Sequence, residues 1–126
     1  MNSSDSYRIP GLELIDHAFE APLDYRDPRG RQINLFVREV RDLDPKSSEK
    51  PFLIFLQGGP GFRAPIPIQK TGWLKRALTE YRVLMYDTRG NGLSTPVDQL
   101  TLGLEGDAAA QAEYLNPFRQ EPIVRD

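Results

Sequence analysis

Two glycine-containing loops carry the residues of this 126-residue chain that are best suited to chemistry. The first glycine loop, residues 57–61, reads QGGPG and follows the apolar run FLIFL. Glycine has no β-carbon, so it lets another group approach the main chain closely. Free backbone N–H groups near the start of a helix attract negative charge, as the stabilisation of an oxyanion requires. The loop therefore predicts a site for charge that develops on a carbonyl oxygen.

The second glycine loop, residues 87–95, reads DTRGNGLST and follows the apolar run RVLMYD. Asp87 and Arg89 stand two positions apart in it, beside Gly90 and Gly92. We predict that Asp87 and Arg89 form an internal ion pair and turn anchor that holds the first loop in shape, with no part in the chemical step. Ser94 is expected to cap a turn or a helix. The alternative for both loops is that they are only tight connections, because turns rich in glycine and proline are common.

Several other kinds of site are disfavoured by spacing and composition. There is no GxxxxGK[ST] motif, and GNGLST lacks the third glycine of a dinucleotide fingerprint, which argues against a kinase or a dehydrogenase. The chain has no cysteine and a single histidine, His17, so neither a metal site nor another cofactor is expected. Sixteen basic and eighteen acidic residues without a long basic run argue against nucleic acid as a partner.

An antiparallel hairpin is predicted in the first third of the chain. LELIDHAFEAPLDY suggests an extended strand that reaches Pro22, and RDPRG, residues 26–30, is typical of a turn. In RQINLFVREV the apolar residues at 33, 35 and 37 share one face, which indicates a half-buried strand. Residues 1–10 are polar and predict a flexible tail, which leaves residues 11–126 as the folded part.

A strand, a helix and a second strand follow in the middle of the chain. FLIFL is apolar on both alternations, as in a strand that is covered on both faces. TGWLKRALTEY has its apolar residues at helical spacing, and RVLMYD is a second buried strand. A βαβ unit of this kind has parallel strands. The predicted fold class is α/β, with an antiparallel hairpin that leads into an incomplete parallel βαβ sheet. Both glycine loops are predicted at the carboxyl edge of this sheet, where ligands bind. Helices are also expected in DAAAQAEYL and NPFRQEPIVRD.

These residues resemble a known family. LQGGPGF, GWLKRAL and YRVLMYDTRGNGLSTP are similar to the oxyanion loop, the following helix and the DxRGxGxS loop of proline iminopeptidases, which are serine peptidases of the α/β-hydrolase fold. HAFEAPLDYRDP and INLFVREV resemble the same family's opening strands, and NPFRQEPIVRD resembles its helix before the nucleophile, so the resemblance runs from about Leu14 to Asp126. Many members have His where this chain has Gln57, and Gln where it has Thr88. The oxyanion donors are backbone groups, so Gln57 leaves them in place, whereas Thr88 changes how its loop packs.

The resemblance implies a reaction and roles for both loops. An activated serine attacks a peptide carbonyl, and two backbone N–H groups hold the resulting oxyanion, one of them from the loop after the third strand of the hydrolase fold. Carried over, that donor lies in Gly58-Gly59, most specifically at Gly59. The implied supporting residues of the two loops are Gln57, Pro60, Gly61, Asp87, Arg89, Gly90 and Gly92. The implied substrate is a peptide with proline or a similar residue at its amino end.

Most of the catalytic machinery of such an enzyme is missing from these residues. The nucleophile motif GxSxG does not occur, and His17 lies far upstream of the position of the catalytic base. The resemblance therefore implies the amino-terminal part of an α/β-hydrolase, without the nucleophile-bearing half or the cap domain, and inactive alone. The alternatives are a non-catalytic binding or regulatory module on a hydrolase framework, or another hydrolase such as an esterase or epoxide hydrolase.

The sequence also predicts where the chain resides and what it contacts. No signal sequence and no run of about 18 apolar residues occurs, so a cytoplasmic protein without a membrane partner is expected. A central strand whose neighbour is absent exposes unpaired backbone groups, so self-association through that sheet edge is expected.

Overall fold

A computed structural model describes residues 4–57 and 61–126 of the chain. A mixed five-stranded sheet lies at its centre, with the strand order β1-β2-β3-β5-β4. The strands are β1 (Asp5–Ile9), β2 (Leu12–Pro22), β3 (Gln32–Asp42), β4 (Phe52–Leu56) and β5 (Arg82–Asp87). The helices are α1 (Gly72–Ala77), α2 (Gln99–Gly103), α3 (Ala108–Leu115) and α4 (Gln120–Arg125), with 3-10 turns at Pro45–Glu49 and Asn116–Phe118. Among the described residues, no helix has the length and apolar character needed to cross a membrane.

The predicted hairpin is confirmed. β2 and β3 pair antiparallel along their whole length, from Leu12 opposite Asp42 to Pro22 opposite Gln32. A backbone hydrogen bond of 2.8 Å from the Leu23 N–H to the Arg31 carbonyl closes the connection between them. Ile33 and Leu35 of β3 are buried together with Ala21 of β2, which agrees with the period of two in the sequence.

The amino-terminal segment differs from the expected flexible tail, because residues 5–9 form strand β1. It pairs antiparallel with β2, from Asp5 opposite Asp16 to Ile9 opposite Leu12. Gly11 makes the tight turn between the two strands with a φ of +80°, a left-handed conformation that favours glycine. The outer edge of β2 offers unpaired backbone groups, and β1 satisfies them while its side chains stay mostly exposed to solvent. A polar edge strand of this kind has no apolar pattern by which the sequence could reveal it.

The predicted βαβ unit is also confirmed. β4 and β5 pair parallel, and α1 lies on the crossover between them. Leu74 of α1 and Leu78, which follows the helix, are buried against one face of the sheet. The core on this face consists of Leu12, Leu14, Val40, Ala64, Leu74, Leu78, Val83 and Met85.

Strand β4 was predicted to be covered on both faces, and this prediction is wrong for the described residues. Four of its five side chains are exposed, namely Phe52, Leu53, Ile54 and Leu56. The strand lies at the end of the sheet, and only the edge toward β5 is paired within the described part of the chain. A strand with apolar side chains on both faces favours burial of both faces. Within the described residues, most of the side chains of β4 are instead exposed.

Candidate functional site

The two glycine loops begin at the same edge of the sheet. Leu56 at the end of β4 lies opposite Tyr86 near the end of β5, and the strands run parallel. Ligands of open α/β sheets bind at this edge. Gly58, Gly59 and Pro60 lie outside the described residues, so the oxyanion donor at Gly59 stays a prediction.

Gly61, the last residue of the first glycine loop, lies beside the second glycine loop. It has a φ of +128°, a conformation that residues with a β-carbon rarely adopt. Together with Arg89, Gly90 and Asn91 it lines a cavity of about 220 Å³. The last residue of the first glycine loop therefore lies next to the second glycine loop.

Asp87 connects the segment after the first glycine loop to the second loop. Its buried carboxylate accepts hydrogen bonds from the Ala64 N–H at 2.8 Å and from the Leu93 N–H at 3.0 Å. A β-carbon at Gly92 would lie 2.1 Å from this carboxylate, and Gly92 has a φ of +54°. Close packing and backbone conformation thus both require glycine at this position.

Arg89 does not form the ion pair with Asp87 that the sequence suggested; its partner is Asp126. Its Nε donates to Asp126 Oδ2 at 2.7 Å, and its Nη2 donates to Asp126 Oδ1. The remaining donors reach the carbonyl oxygens of residues 22–23 at 3.1 and 2.8 Å and of Pro117 at 2.9 Å. Both charged side chains are fully buried. Arg89 thus joins the second glycine loop to the end of β2, to the 3-10 turn at Asn116–Phe118 and to the end of α4.

Two tyrosines complete the cluster around Asp126. The Tyr25 hydroxyl donates to Asp126 Oδ1 at 2.8 Å, and the Tyr86 hydroxyl donates to Asp126 Oδ2 at 3.2 Å. Burial, and then the charge of Asp126, raises the pKa of the Tyr86 phenol, so it stays protonated and remains a donor. Sequence reasoning missed Asp126, since nothing in the local pattern relates it to Arg89, 37 positions away.

Ser94 and Thr88 have structural roles in the second loop. Ser94 is fully buried; its hydroxyl donates to the Asp87 carbonyl and accepts from the Phe36 N–H at 2.7 Å, which attaches the loop to β3. Thr88 Oγ1 accepts a hydrogen bond of 2.8 Å from the Asn91 side chain within the loop. Both hydroxyls are therefore engaged in holding the loop.

Replacing Ser94 by alanine should destabilise the chain by about 1–3 kcal/mol, because the Phe36 N–H and the carbonyl of the buried Asp87 lose their partner. Urea unfolding measures the effect. Thr95→Ala is the matched control, since Thr95 Oγ1 makes the corresponding bonds to the backbone of Asn34 at an exposed position. Equal losses in the two variants would contradict the role assigned to Ser94.

His17 lies on β2, where its Nε2 is 3.0 Å from Oε2 of the buried Glu39 on β3. Arg82 Nη1 approaches the other oxygen of this carboxylate at 3.5 Å. His17 therefore belongs to a polar cluster on the strands. Within residues 4–57 and 61–126, no group of acidic or histidine side chains could hold a metal ion.

Comparison with known proteins identifies relatives of the chain. No protein-family model matches it. The proline iminopeptidase of Aeromonas sobria is 44% identical over 127 aligned positions, which cover 100% of this chain and 30% of the relative. The proline iminopeptidase aneH of Aspergillus aculeatus is 40% identical over 110 positions, 86% of this chain and 24% of the relative. A tripeptidyl aminopeptidase of Streptomyces coelicolor is 33% identical over 81 positions, 60% of this chain and 15% of the relative.

The proline iminopeptidases named here match nearly all of the chain, and the mixed α/β sheet agrees with the fold that the resemblance implied. The chain spans less than a third of the length of these curated relatives. This chain is thus similar in sequence to the proline iminopeptidases, and it has the mixed sheet of a partial α/β-hydrolase.

Proposed function

We propose that the chain supplies the oxyanion loop of a serine aminopeptidase that releases an N-terminal proline, or a similar residue, from peptides. One observation supports the proposal: in a chain 44% identical to a proline iminopeptidase, β4 and β5 pair parallel, and each is followed in the sequence by one of the two glycine loops. This edge is where ligands of open α/β sheets bind. A backbone donor there is suited to a carbonyl under attack.

In the proposed reaction, the attack of a serine hydroxyl converts the carbonyl oxygen of the substrate into an oxyanion. The Gly59 N–H donates one hydrogen bond to this oxygen, and the amide after the serine donates another. One such donor contributes about 3 to 4 kcal/mol to the transition state. The nucleophile, acid and base are proposed to belong to other residues of the enzyme, because this chain has no GxSxG motif and its single histidine, His17, lies far upstream of the position of the catalytic base.

Asp87 and Arg89 contribute indirectly in this proposal. Asp87 accepts a hydrogen bond from the Ala64 N–H, three residues after Gly61. This bond restricts the position of the backbone that follows the first glycine loop. Arg89 holds the second loop against α4 through Asp126. Neither side chain contacts the substrate, so both are positioning residues.

Release of a tripeptide is the second candidate activity. It is favoured by the similarity to the Streptomyces coelicolor tripeptidyl aminopeptidase over 60% of the chain. Both reactions require the same oxyanion loop, because each breaks a peptide bond near the amino end of the substrate. They differ in the residues that receive the free amino group.

A chimaera tests the proposed activity. The chain replaces the matching segment of the Aeromonas sobria relative, whose remaining residues stay unchanged. We expect the chimaera to hydrolyse proline 4-nitroanilide with a kcat within about tenfold of the relative, a barrier difference of about 1.4 kcal/mol. The isolated chain is expected to give no turnover.

Three outcomes decide between the alternatives. A second chimaera places the matching part of the chain in the Streptomyces coelicolor relative. Turnover of a tripeptide 4-nitroanilide by this second chimaera, without turnover of proline 4-nitroanilide by the Aeromonas sobria chimaera, would favour the second candidate. Folded chimaeras that turn over neither substrate would indicate a non-catalytic module. Hydrolysis by the isolated chain, at a rate that survives repeated purification, would contradict the assignment of nucleophile and base to other residues.

A further inference from the structure

Asn91 and Gly92 form an asparagine–glycine pair in the second glycine loop. The chain has four asparagines, at positions 2, 34, 91 and 116, and only Asn91 is followed by glycine. The backbone nitrogen after an asparagine is able to attack the side-chain amide carbon, and a side chain next to that nitrogen hinders the attack. Because glycine has no side chain, Asn91 has the least hindered nucleophile of the four asparagines.

Two consecutive turns hold the backbone around Asn91. The Asn91 N–H donates to the Thr88 carbonyl at 3.0 Å, and the Ser94 N–H donates to the Asn91 carbonyl at 2.9 Å. Gly92 lies inside the second of these turns with its φ of +54°. In the part of the chain that the structure describes, no hydrogen bond engages the Gly92 N–H. Its nitrogen therefore loses no partner of this part when it acts as a nucleophile.

The side-chain amide of Asn91 is held mainly by Thr88. Its Nδ2 donates to Thr88 Oγ1 at 2.8 Å and approaches the Arg89 carbonyl at 3.5 Å. Thr88 is buried, whereas Asn91 is partly exposed and lines the open cavity of about 220 Å³ beside Gly61. The Asn91 side chain thus has room to turn toward the Gly92 nitrogen, and such a turn breaks the bond to Thr88.

We propose that Asn91 is a site of spontaneous deamidation and that the Thr88 hydroxyl slows the reaction. The Gly92 nitrogen loses its proton and forms a bond to Cγ of Asn91. The bond from Cγ to Nδ2 breaks, and ammonia leaves with that proton, so that a cyclic succinimide remains. Water then opens the ring: its addition at Cγ gives aspartate, and its addition at the backbone carbonyl carbon of residue 91 gives isoaspartate.

Either product changes the second glycine loop. Both have a carboxylate in place of the amide that donates to Thr88, in a loop where the Asp87 carboxylate already lies against Gly92. Isoaspartate also adds a carbon atom to the backbone between the two turns at Asn91. The modified loop is therefore expected to be less stable than the original one. This inference does not depend on the reaction proposed above.

Peptide mapping measures the reaction in the chain and in the Aeromonas sobria chimaera at mildly alkaline pH. Tandem mass spectrometry locates the mass gain that accompanies conversion of an amide to a carboxyl group. We expect Asn91 to react at least about tenfold faster than Asn34 or Asn116 in both folded proteins, a barrier difference of about 1.4 kcal/mol. Asn34 precedes leucine within β3, and Asn116 precedes Pro117, whose nitrogen has no proton to lose.

The products identify the route. The succinimide gives isoaspartate together with aspartate, whereas direct hydrolysis of the amide gives aspartate alone. Electron-transfer fragmentation distinguishes the two products at position 91. The rate should also rise with pH, because the deprotonated Gly92 nitrogen is the nucleophile.

Thr88→Val tests the role of the hydroxyl, because valine keeps the shape of the side chain and removes the acceptor. We expect Asn91 to react about fivefold faster in this variant, the rate factor that corresponds to one hydrogen bond of about 1 kcal/mol. Thr79→Val is the matched control, since the Thr79 hydroxyl contacts Arg76 and not the loop, and it should leave the rate unchanged. The urea-unfolded chain also lacks the Thr88 bond, so Asn91 should react faster there without any substitution.

Two sets of results would overturn the proposal. A failure of Asn91 to form isoaspartate in either folded protein, or equal rates at Asn91 and Asn34, would show that the loop is not a deamidation site. Equal rates at Asn91 in the original chain, in Thr88→Val and in the unfolded chain would show that the Thr88 hydroxyl does not slow the reaction.

Discussion

Gly59→Val in the chimaera is expected to lower kcat for proline 4-nitroanilide by about 10²–10³-fold. A branched side chain at this position would displace the backbone N–H that is proposed to hold the oxyanion. That interaction forms only as charge develops, so the loss should fall on kcat more than on KM.

The control for this prediction is Gly103→Val, at a glycine of α2 where an added β-carbon would contact nothing within 4 Å. It should leave kcat within a factor of about three, because helix propensity alone changes by well under 1 kcal/mol between these residues. Near-ultraviolet circular dichroism checks that both variants fold. A Gly59→Val chimaera that folds and keeps full kcat would contradict the oxyanion role.

Arg89→Met is expected to destabilise the chain by about 3–5 kcal/mol, the cost of leaving one member of a buried ion pair alone. The variant leaves the Asp126 carboxylate buried and removes the donors to the carbonyls of residues 22–23 and Pro117. Urea unfolding at one fixed protein concentration measures the loss, since any dimer makes stability depend on concentration.

Two further variants make the Arg89 prediction specific. Arg26→Met removes a guanidinium that is 85% exposed and paired with Asp24 at 2.7 Å, so it should cost less than about 1 kcal/mol. Adding Asp126→Leu to Arg89→Met should recover part of the lost stability, because it removes the uncompensated charge. Similar losses for Arg89→Met and Arg26→Met would show that the buried pair does not hold α4.

The sequence predicted the parts of the fold that have a local apolar pattern. The alternation in β2 and β3 gave the hairpin, and two apolar runs around a helical segment gave the parallel pair. β1 was missed, because its residues satisfy only the backbone of β2 and leave most of their own side chains in solvent. The sequence did not predict the exposure of β4, because the apolar composition of a strand does not specify which helices or strands pack against it.

The candidate site was predictable to the same extent. Glycine content and position predicted both loops at one sheet edge. The structure confirms the parallel strands that precede them, and it adds the close approach of Asp87 that requires glycine at position 92. The partner of Arg89 could not be predicted. Its ion pair joins residues that only tertiary packing brings together, and Asp87, the nearest acidic residue in sequence, accepts backbone N–H groups.

The most direct test of the proposed oxyanion loop is a crystal structure of the chimaera with a proline boronic acid bound to its nucleophilic serine. The tetrahedral boronate oxygen occupies the position of the oxyanion. We expect the Gly59 N–H, or that of Gly58, within about 2.7–3.1 Å of this oxygen. Amides of both glycines bonded to the protein itself, or directed away from the boronate, would contradict the proposed function.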